Sequence, residues 1–219
     1  MLFKYLPPER IDVLRESRIR FTPLLSLNDP FEHSMKIGEH EYAIQPGLCT
    51  NATRFISLSR NNTNILMWSH YADSHKGFCI GFSRQNDYFK MAESVRYRRY
   101  RSNLNGADID PKKPSSITKI VALEKAIDWA YEEEERLFLD DVTINTQTVG
   151  TDLWEQEILL NKFPASSITS IYLGLRAKES LKNEVLEIAE QQNLNIEIFQ
   201  ARRKINEFAI EFHQINQGV

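Results

Sequence analysis

The segment Met67-Trp-Ser-His-Tyr-Ala-Asp-Ser-His-Lys-Gly-Phe-Cys-Ile-Gly-Phe82 predicts a helix, a polar turn and a buried strand in immediate succession. Residues 64–72 favour a helix, and Gly77–Phe82 is a glycine-bounded apolar run that is typical of a buried strand. Short connections like this one often carry binding residues, because polar tips and flat apolar faces meet there. Four such side chains belong to the segment: Trp68, His70, Tyr71 and His75. Taken singly, each is more simply explained as a core aromatic or a solvated histidine.

Strands and helices are interspersed on both sides of this segment. Most connections between strands are too short for the crossover that joins parallel strands, so we predict an α+β fold with mainly antiparallel sheets and flanking helices. The predicted strands are 2–6, 19–22, 54–59, 77–82, 94–100, 170–173, 196–199 and 208–212. The predicted helices are 8–18, 64–72, 115–131 and 177–192.

Composition narrows the class of protein. The chain has 219 residues, 42% of them hydrophobic and 26% charged, which predicts a soluble globular protein with a sizeable core. Residues 1–219 contain no Pro/Gly/Ser-rich linker, so one domain is expected. A net charge of −3 gives no global attraction to nucleic acid or to an anionic membrane. No oligomeric state follows from the sequence.

The ends of the chain and its thiols predict where the protein resides. No apolar run approaches the length of a membrane span, and Met1-Leu-Phe-Lys-Tyr5 begins like a strand and not like a signal peptide. Cys49 and Cys79 alone form neither a disulfide framework nor a zinc cluster. We therefore expect a cytoplasmic protein with reduced thiols and no membrane partner.

An acidic block, Trp129-Ala-Tyr-Glu-Glu-Glu-Glu-Arg-Leu137, allows two interpretations. On a strand, Glu132, Glu134 and Arg136 share one face, where the guanidinium would hold a carboxylate ionised. A fixed carboxylate of this kind stabilises the oxocarbenium-like state through which a glycosidic bond is cleaved. On a helix, Glu132 and Arg136 would instead form an i,i+4 pair on a solvated face, and the charge run alone favours that alternative.

The loop Ser26-Leu-Asn-Asp-Pro-Phe-Glu32 contributes the further candidates Asn28, Asp29 and Glu32. These side chains suit a helix cap and an Asx turn, or alternatively a ligand. A metal site could in principle be formed by Asp29, Glu32, His33, His70 and His75, but no two of them have a recognised ligand spacing such as His-Glu-x-x-His. No metal is expected.

A second kind of site is suggested by Arg96-Tyr-Arg-Arg-Tyr-Arg101. Arginines can neutralise phosphates while tyrosines stack on exposed bases, so this segment is a candidate for binding nucleic acid. The alternative is an exposed edge strand whose charges discourage pairing with other chains. The nucleic-acid candidates are Arg96, Arg98, Arg99 and Arg101.

Motifs spread along the chain resemble those of a large, mostly bacterial family that is catalogued as a domain of unknown function, number 2971. They are Lys4-Tyr5, Arg20-Phe21, Leu27–Glu32, Ser57–Ser59, Met67–Asp73, His75–Phe82, Lys125, Trp129, Glu132, Glu134, Arg136 and Ile171–Gly174. The resemblance runs almost from end to end of the chain. It implies no particular reaction, because none is established for that family.

The order of the elements is also similar to that of the ADP-ribosyltransferase fold. That resemblance implies NAD as a substrate, with Lys4 and Tyr5 on the first strand and Glu132 or Glu134 stabilising a ribose cation. The sequence departs from the usual pattern, since Lys4-Tyr5 replaces a His or Arg and a middle aromatic–serine motif is not clearly present. In this hypothesis Trp68 or Tyr71 stacks on a flat ring, and Lys4 or Arg136 faces phosphate.

These clusters predict one cleft that is bordered by the first strand, residues 28–32, residues 68–75 and residues 132–136. The functional hypothesis is an NAD-binding enzyme that acts at the ribose glycosidic bond, either an ADP-ribosyltransferase or an NAD glycohydrolase. Two alternatives remain open. One is a nucleic-acid-binding protein that uses residues 96–101, and the other is a non-catalytic interaction protein.

Overall fold

One 11-stranded sheet organises the fold in a computed structural model that describes residues 1–45, 53–104 and 119–215. The strands of the described residues are β1 (Leu2–Leu6), β2 (Arg18–Pro23), β3 (Ser34–Ile37), β4 (His40–Ala43), β5 (Arg54–Ser59), β6 (Phe78–Phe82), β7 (Glu93–Ser94), β8 (Arg96–Arg98), β9 (Asn103–Leu104), β10 (Glu124–Ala126), β11 (Glu134–Phe138), β12 (Thr146–Thr151), β13 (Glu157–Lys162), β14 (Ile168–Leu173), β15 (Glu197–Arg203) and β16 (Ile210–Gln214).

Helices are short except for the last one. The α-helices are α1 (Asp12–Glu16), α2 (Ile65–Tyr71) and α3 (Glu179–Gln191), and short 3₁₀ helices include Pro8–Arg10, Leu24–Ser26, Pro30–His33, Ile127–Glu132, Leu139–Asp141 and Ala165–Ser167. Within the described residues, none of the helices has the length and apolar character that crossing a membrane requires.

The main sheet has the strand order β12-β13-β2-β5-β1-β6-β14-β15-β16, with β11 paired to β5 and β7 paired to β11. Its pairs are antiparallel apart from β14 and β15, which run parallel and are connected through α3. Two small sheets, β10-β8 and β4-β3-β9, lie outside it. The predicted α+β class with mainly antiparallel sheets is confirmed.

A split in the sheet creates the most important feature of the fold. Strand β5 pairs with β11 from Phe55 to Ser59, but on its other side it is shared by β1 and β2. Strand β1 meets β5 at Ser59, and β2 meets it at Arg54 and Phe55, the opposite end. Because β1 and β2 separate between these points, the middle of β5 lies in a gap, where the Lys4 Nζ donates to the Ser57 carbonyl at 2.9 Å.

Apolar residues cover both faces of the sheet near this gap. The largest cluster packs α1 and α3 against the sheet, with Val13, Leu14 and Val185 almost fully buried. A smaller cluster surrounds Trp68, whose ring packs edge-on against Tyr5 with 5.1 Å between centroids. Burial of these side chains supplies the main driving force for holding the strands in place.

Three predicted elements differ from those observed. The predicted helix 115–131 is wrong in its described part, because residues 119–121 are helical but β10 and the 3₁₀ helix Ile127–Glu132 follow. Strand β10 pairs in parallel with β8, and this tertiary pairing overrides the helical pattern. The predicted strand 94–100 is two short strands, β7 and β8, and helix 8–18 is a 3₁₀ turn followed by α1. Residues 115–118 and Cys49 lie outside the described residues.

Candidate functional site

A cavity of about 180 Å³ opens where β1 and β2 separate. Three of the four predicted clusters contribute most of their candidate residues to its lining: the first strand, residues 28–32 and residues 132–136. The fourth cluster, residues 68–75, contributes only Tyr71. The predicted site residues around the cavity are Lys4, Tyr5, Asn28, Asp29, Glu32, Tyr71, Glu132, Glu134 and Arg136. The structure therefore brings together segments that are far apart in the sequence.

The pair Glu134 and Arg136 forms the floor of this cavity. Both residues lie on β11 and are two positions apart, so their side chains share one face of the strand. Arg136 Nε donates to Glu134 Oε1 at 2.8 Å, and Nη2 donates to Oε2 at 3.0 Å, which is a bidentate charge-assisted pair. The strand interpretation of the acidic block is thus correct for these two residues.

The remaining donors of Arg136 are also engaged by protein groups. Its Nη2 forms an ion pair with Glu32, and Nη1 donates to the Ala122 carbonyl at 2.6 Å. The guanidinium carbon lies 4.4 Å from the centroid of the Phe55 ring. Arg136 is 1% exposed, so it orients Glu134 and Glu32 instead of presenting an open fork to a phosphate.

Glu132 departs from the predicted arrangement. It ends the 3₁₀ helix Ile127–Glu132, and Glu133 then adopts a left-handed conformation with φ of 46°, so Glu132 is not part of β11. Its partners are Lys125, whose Nζ lies 2.5 Å from Oε2, and Tyr71, whose hydroxyl donates to Oε1 at 2.5 Å. The strand interpretation, in which Glu132, Glu134 and Arg136 share one face, is therefore wrong for Glu132.

Lys125 links the two carboxylates of the site. Its Nζ also lies 3.3 Å from Glu134 Oε2 and 4.8 Å from the centroid of the Trp129 ring. Lys125 and Trp129 both border the cavity. The predicted helix 115–131 would instead have placed them on the surface of a helix. In the sequence, Lys125 and Trp129 were indicated only by the motifs that resemble the family of unknown function.

The charges of this network move the pKa values of two carboxyl groups in opposite directions. Burial alone would raise the pKa of Glu134, but Arg136 and Lys125 outweigh burial and lower it to about 2. Burial dominates at Glu32 and raises its pKa, although Arg136 and Lys125 oppose the shift. Two carboxyl groups on one guanidinium are therefore tuned apart, a pattern found where acids and bases have separate roles.

Lys4 and Tyr5 occupy the first strand as predicted. Burial lowers the pKa of the Lys4 ammonium to about 8, and the Glu134 carboxylate opposes that shift. The Tyr5 hydroxyl donates to the Asn61 carbonyl at 2.7 Å. Among Lys4, Lys125 and Arg136, Lys4 therefore has the pKa closest to neutral pH.

The loop of Asn28, Asp29 and Glu32 provides the expected helix cap, whereas ligand binding by its side chains stays a prediction. Asp29 accepts a hydrogen bond from the Phe31 N–H at 2.9 Å and caps the 3₁₀ helix Pro30–His33. All three residues also border the cavity. Asp29 is 3% exposed, and its Oδ2 atom is buried without a hydrogen-bond partner among the described residues.

Helix α2 presents only one of its faces to the cavity. Met67 and Tyr71, one helical turn apart, border it. Trp68 is fully buried in the core, and its Nε1 donates to the Asn62 carbonyl at 2.7 Å. His70 is exposed and His75 lies beside Trp68, with 6.3 Å between ring centroids, so neither borders the cavity. The expectation that Trp68, His70 and His75 line the cleft is not met.

A second cavity, of about 320 Å³, adjoins the first, and Asp29, Glu32 and Lys125 border both. Arg98, Arg99 and Arg101 line this second cavity, whereas Arg96 does not. The Tyr97 hydroxyl accepts a hydrogen bond from the Glu134 N–H at 2.7 Å, which commits one of the two tyrosines that were expected to stack on bases. The arginine-rich segment is therefore a wall of a cavity next to Glu134.

The model of a protein family described as "Protein of unknown function (DUF2971)" matches residues 67–137. The matched span begins within α2 and ends within β11, so it includes Tyr71, Lys125, Glu134 and Arg136. A search of the curated proteins found no match to the chain, and a search of the solved structures found none either. The match supports the resemblance to this family over the segment that builds one side of the cavity.

Proposed function

We propose that the protein is an enzyme that binds NAD or a related nucleotide and cleaves or transfers at the glycosidic bond of its ribose, like an ADP-ribosyltransferase or an NAD glycohydrolase. The observation that carries this proposal is the Glu134 carboxylate, which borders the cavity and whose pKa is lowered to about 2. A carboxylate that stays ionised at neutral pH and is fixed by Arg136 suits a positive charge that develops at C1′ of the ribose.

The proposed reaction breaks the bond between ribose C1′ and the nicotinamide nitrogen. The bonding electrons leave with nicotinamide, and Glu134 stabilises the resulting cation. Water or an acceptor group then attacks C1′ and loses a proton. Glu132 is the second catalytic candidate, since it lies beside Glu134 through their common partner Lys125. Tyr71 takes the place of Trp68 as the ring for stacking, because Trp68 is fully buried.

The direct test is nicotinamide release from NAD, measured with and without protein or nucleic-acid acceptors, next to a binding titration with NAD. We expect saturable binding and release. Absence of both binding and release under all of these conditions would overturn the enzyme proposal and favour a non-catalytic interaction protein, in which Glu134 and Arg136 serve the fold alone.

Ligand affinity should weaken as the pH rises through about 8, because Lys4, which borders the cavity beside Glu134, then loses the charge that strengthens its hydrogen bond to a ribose oxygen. The groups that act on the Lys4 ammonium are Glu134, Arg10, Glu132 and Cys79, and burial is the largest influence. Titrations with ADP-ribose across this range should show the decline in the wild type and a nearly flat profile in Lys4→Met. An unchanged decline in Lys4→Met would show that another group is responsible.

Nucleic-acid binding is the second candidate function, supported by Tyr100, which is 80% exposed, and by Arg96 and Arg99. These two arginines have no ion-pair partner in the part of the chain that the structure describes. Salt-sensitive binding of RNA or DNA that disappears when Arg98, Arg99 and Arg101 are neutralised would support this function.

No metal cofactor is part of the proposed chemistry. Among the described residues, no three His, Cys, Asp or Glu side chains are grouped as a metal ion would require. Elemental analysis of purified, dialysed protein should find less than stoichiometric zinc or iron. One bound equivalent would contradict this expectation and favour a metal-dependent hydrolase. A cytoplasmic location, where NAD is available and the buried thiol of Cys79 stays reduced, is consistent with the proposal.

A further inference from the structure

The cavity beside Glu134 is too small for a whole nucleotide. Its volume of about 180 Å³ is below the roughly 300–1,000 Å³ of typical ligand pockets. The adjoining cavity adds about 320 Å³, and Asp29, Glu32 and Lys125 belong to the walls of both. A ligand that fills the site therefore has room to extend from Glu134 past these three residues into the second cavity.

Two cationic side chains that line the second cavity, Lys36 and Arg99, form no ion pair with the described residues. Neither Lys36 nor Arg99 has a hydrogen bond or ion pair from its side chain within residues 1–45, 53–104 and 119–215. The other arginines of this cavity are paired: Arg98 Nε lies 2.9 Å from Glu124, and Arg101 Nη1 lies 2.6 Å from Glu41. Lys36 and Arg99 thus remain available for an anionic ligand.

Asp29, Glu32 and Lys125 form the wall that the two cavities share, and this common wall contains a hydrogen-bond acceptor without a donor. The Oδ2 atom of Asp29 is buried and has no hydrogen-bond partner among the described residues, while Oδ1 accepts from the Phe31 N–H. A buried carboxylate oxygen without a partner costs stability, which a donor supplied by a ligand would recover. A sugar hydroxyl is a donor of suitable size for this position between the two cavities.

We propose that the second cavity binds the diphosphate of the same nucleotide, with Lys36 and Arg99 contacting the phosphates. The ribose that carries the scissile bond lies at the common wall, where Asp29 Oδ2 accepts a hydrogen bond from one of its hydroxyl groups. The position of this ribose rests on the proposed function, whereas the diphosphate site does not. The ligand class is a nucleoside diphosphate that bears a second ribose.

Calorimetric titrations with ADP and with ADP-ribose test the diphosphate site. The double variant Lys36→Met/Arg99→Leu should bind both ligands at least about tenfold more weakly than the wild type, because two charge-assisted contacts are lost. Arg96→Leu is the matched control, since Arg96 is an exposed arginine of the same segment that does not line the cavity. It should bind like the wild type, and circular dichroism should show that all variants are folded.

Asp29→Asn tests the ribose contact. The amide keeps an oxygen for the Phe31 N–H but places an NH₂ group where the unpartnered carboxylate oxygen was. ADP-ribose, which has the second ribose, should bind several-fold more weakly to this variant, while ADP should bind as before. Equal losses for the two ligands would contradict the placement of the ribose.

The outcomes separate this inference from the proposed function. If NAD is not cleaved but ADP binding depends on Lys36 and Arg99, the diphosphate site stands and the enzyme proposal fails. If NAD is cleaved and the double variant binds ADP like the wild type, the diphosphate site is refuted. Failure of the wild type to bind ADP, or tighter binding of a single-stranded oligonucleotide than of ADP-ribose, also overturns it.

Discussion

Glu134→Gln should lower the rate of nicotinamide release by a factor of about 10² or more while leaving the affinity for NAD within a few-fold. Glutamine keeps the size of the side chain and an oxygen for Arg136, but it removes the negative charge that the proposed mechanism requires beside the developing ribose cation. In ground-state NAD the positive charge is spread over the nicotinamide ring, and it moves to the ribose only as the bond breaks, so turnover should fall much more than affinity. The measurement is single-turnover release of nicotinamide together with a binding titration.

Glu133→Gln is the matched control for this substitution. Glu133 is the neighbouring residue, its Oε1 accepts a hydrogen bond from Asn61 Nδ2 at 2.9 Å, and it does not border the cavity. Its turnover should equal that of the wild type. Wild-type turnover in Glu134→Gln would remove Glu134 from the reaction and leave its ion pairs as a purely structural network. A loss of affinity equal to the loss of turnover would show that Glu134 holds the ligand in its ground state.

Local sequence patterns were sufficient to predict the strands that form the gap and the neighbouring strand β6. Residues 2–6 and 54–59 match β1 and β5, and residues 77–82 match β6 with one residue fewer at the start. Residues 54–59 alternate apolar and polar side chains, whereas residues 77–82 form a continuous apolar run bounded by glycine. Strands β4 and β12 were missed because their residues are exposed and place no apolar series on one face. Strand β3 was missed although Ser34 and Met35 are buried, because four residues are too few to show a period.

Which side chains meet in the cavity depends on tertiary pairing that no local pattern contains. Glu134 and Arg136 are two residues apart in the sequence, which is compatible with a strand or a helix. The pairing of β11 with β5 makes this segment a strand and places both side chains on one face. In the same way, Trp68 and Tyr71 are three positions apart on α2, and the position of the sheet decides that Trp68 enters the core. Lys125 reaches Glu134 because β10 pairs with β8, where a helix was predicted.

Arg136→Met should lower the free energy of unfolding by about 3–5 kcal/mol, the usual cost of removing one partner from a buried ion pair. Methionine retains an apolar stem against Phe55, but it leaves Glu134 and Glu32 without their guanidinium. Urea unfolding at neutral pH measures the loss. Arg15→Met is the control, because Arg15 pairs with Glu184 at the surface and should change stability by at most about 1 kcal/mol.

The pH dependence of this difference shows whether the Glu134 charge is its cause. The pKa of Glu134 is lowered to about 2 from a usual value near 4.5, so its ion pairs stabilise the folded protein above pH 4.5. That contribution is lost as the pH falls from about 4.5 through about 2, because protons then neutralise Glu134. The difference between wild type and Arg136→Met should therefore shrink over this range, and the double variant Arg136→Met/Glu134→Gln should recover part of the loss at neutral pH. A difference that is independent of pH and of Glu134 would instead assign the effect to the packing of Arg136 on Phe55 and to its hydrogen bond with the Ala122 carbonyl.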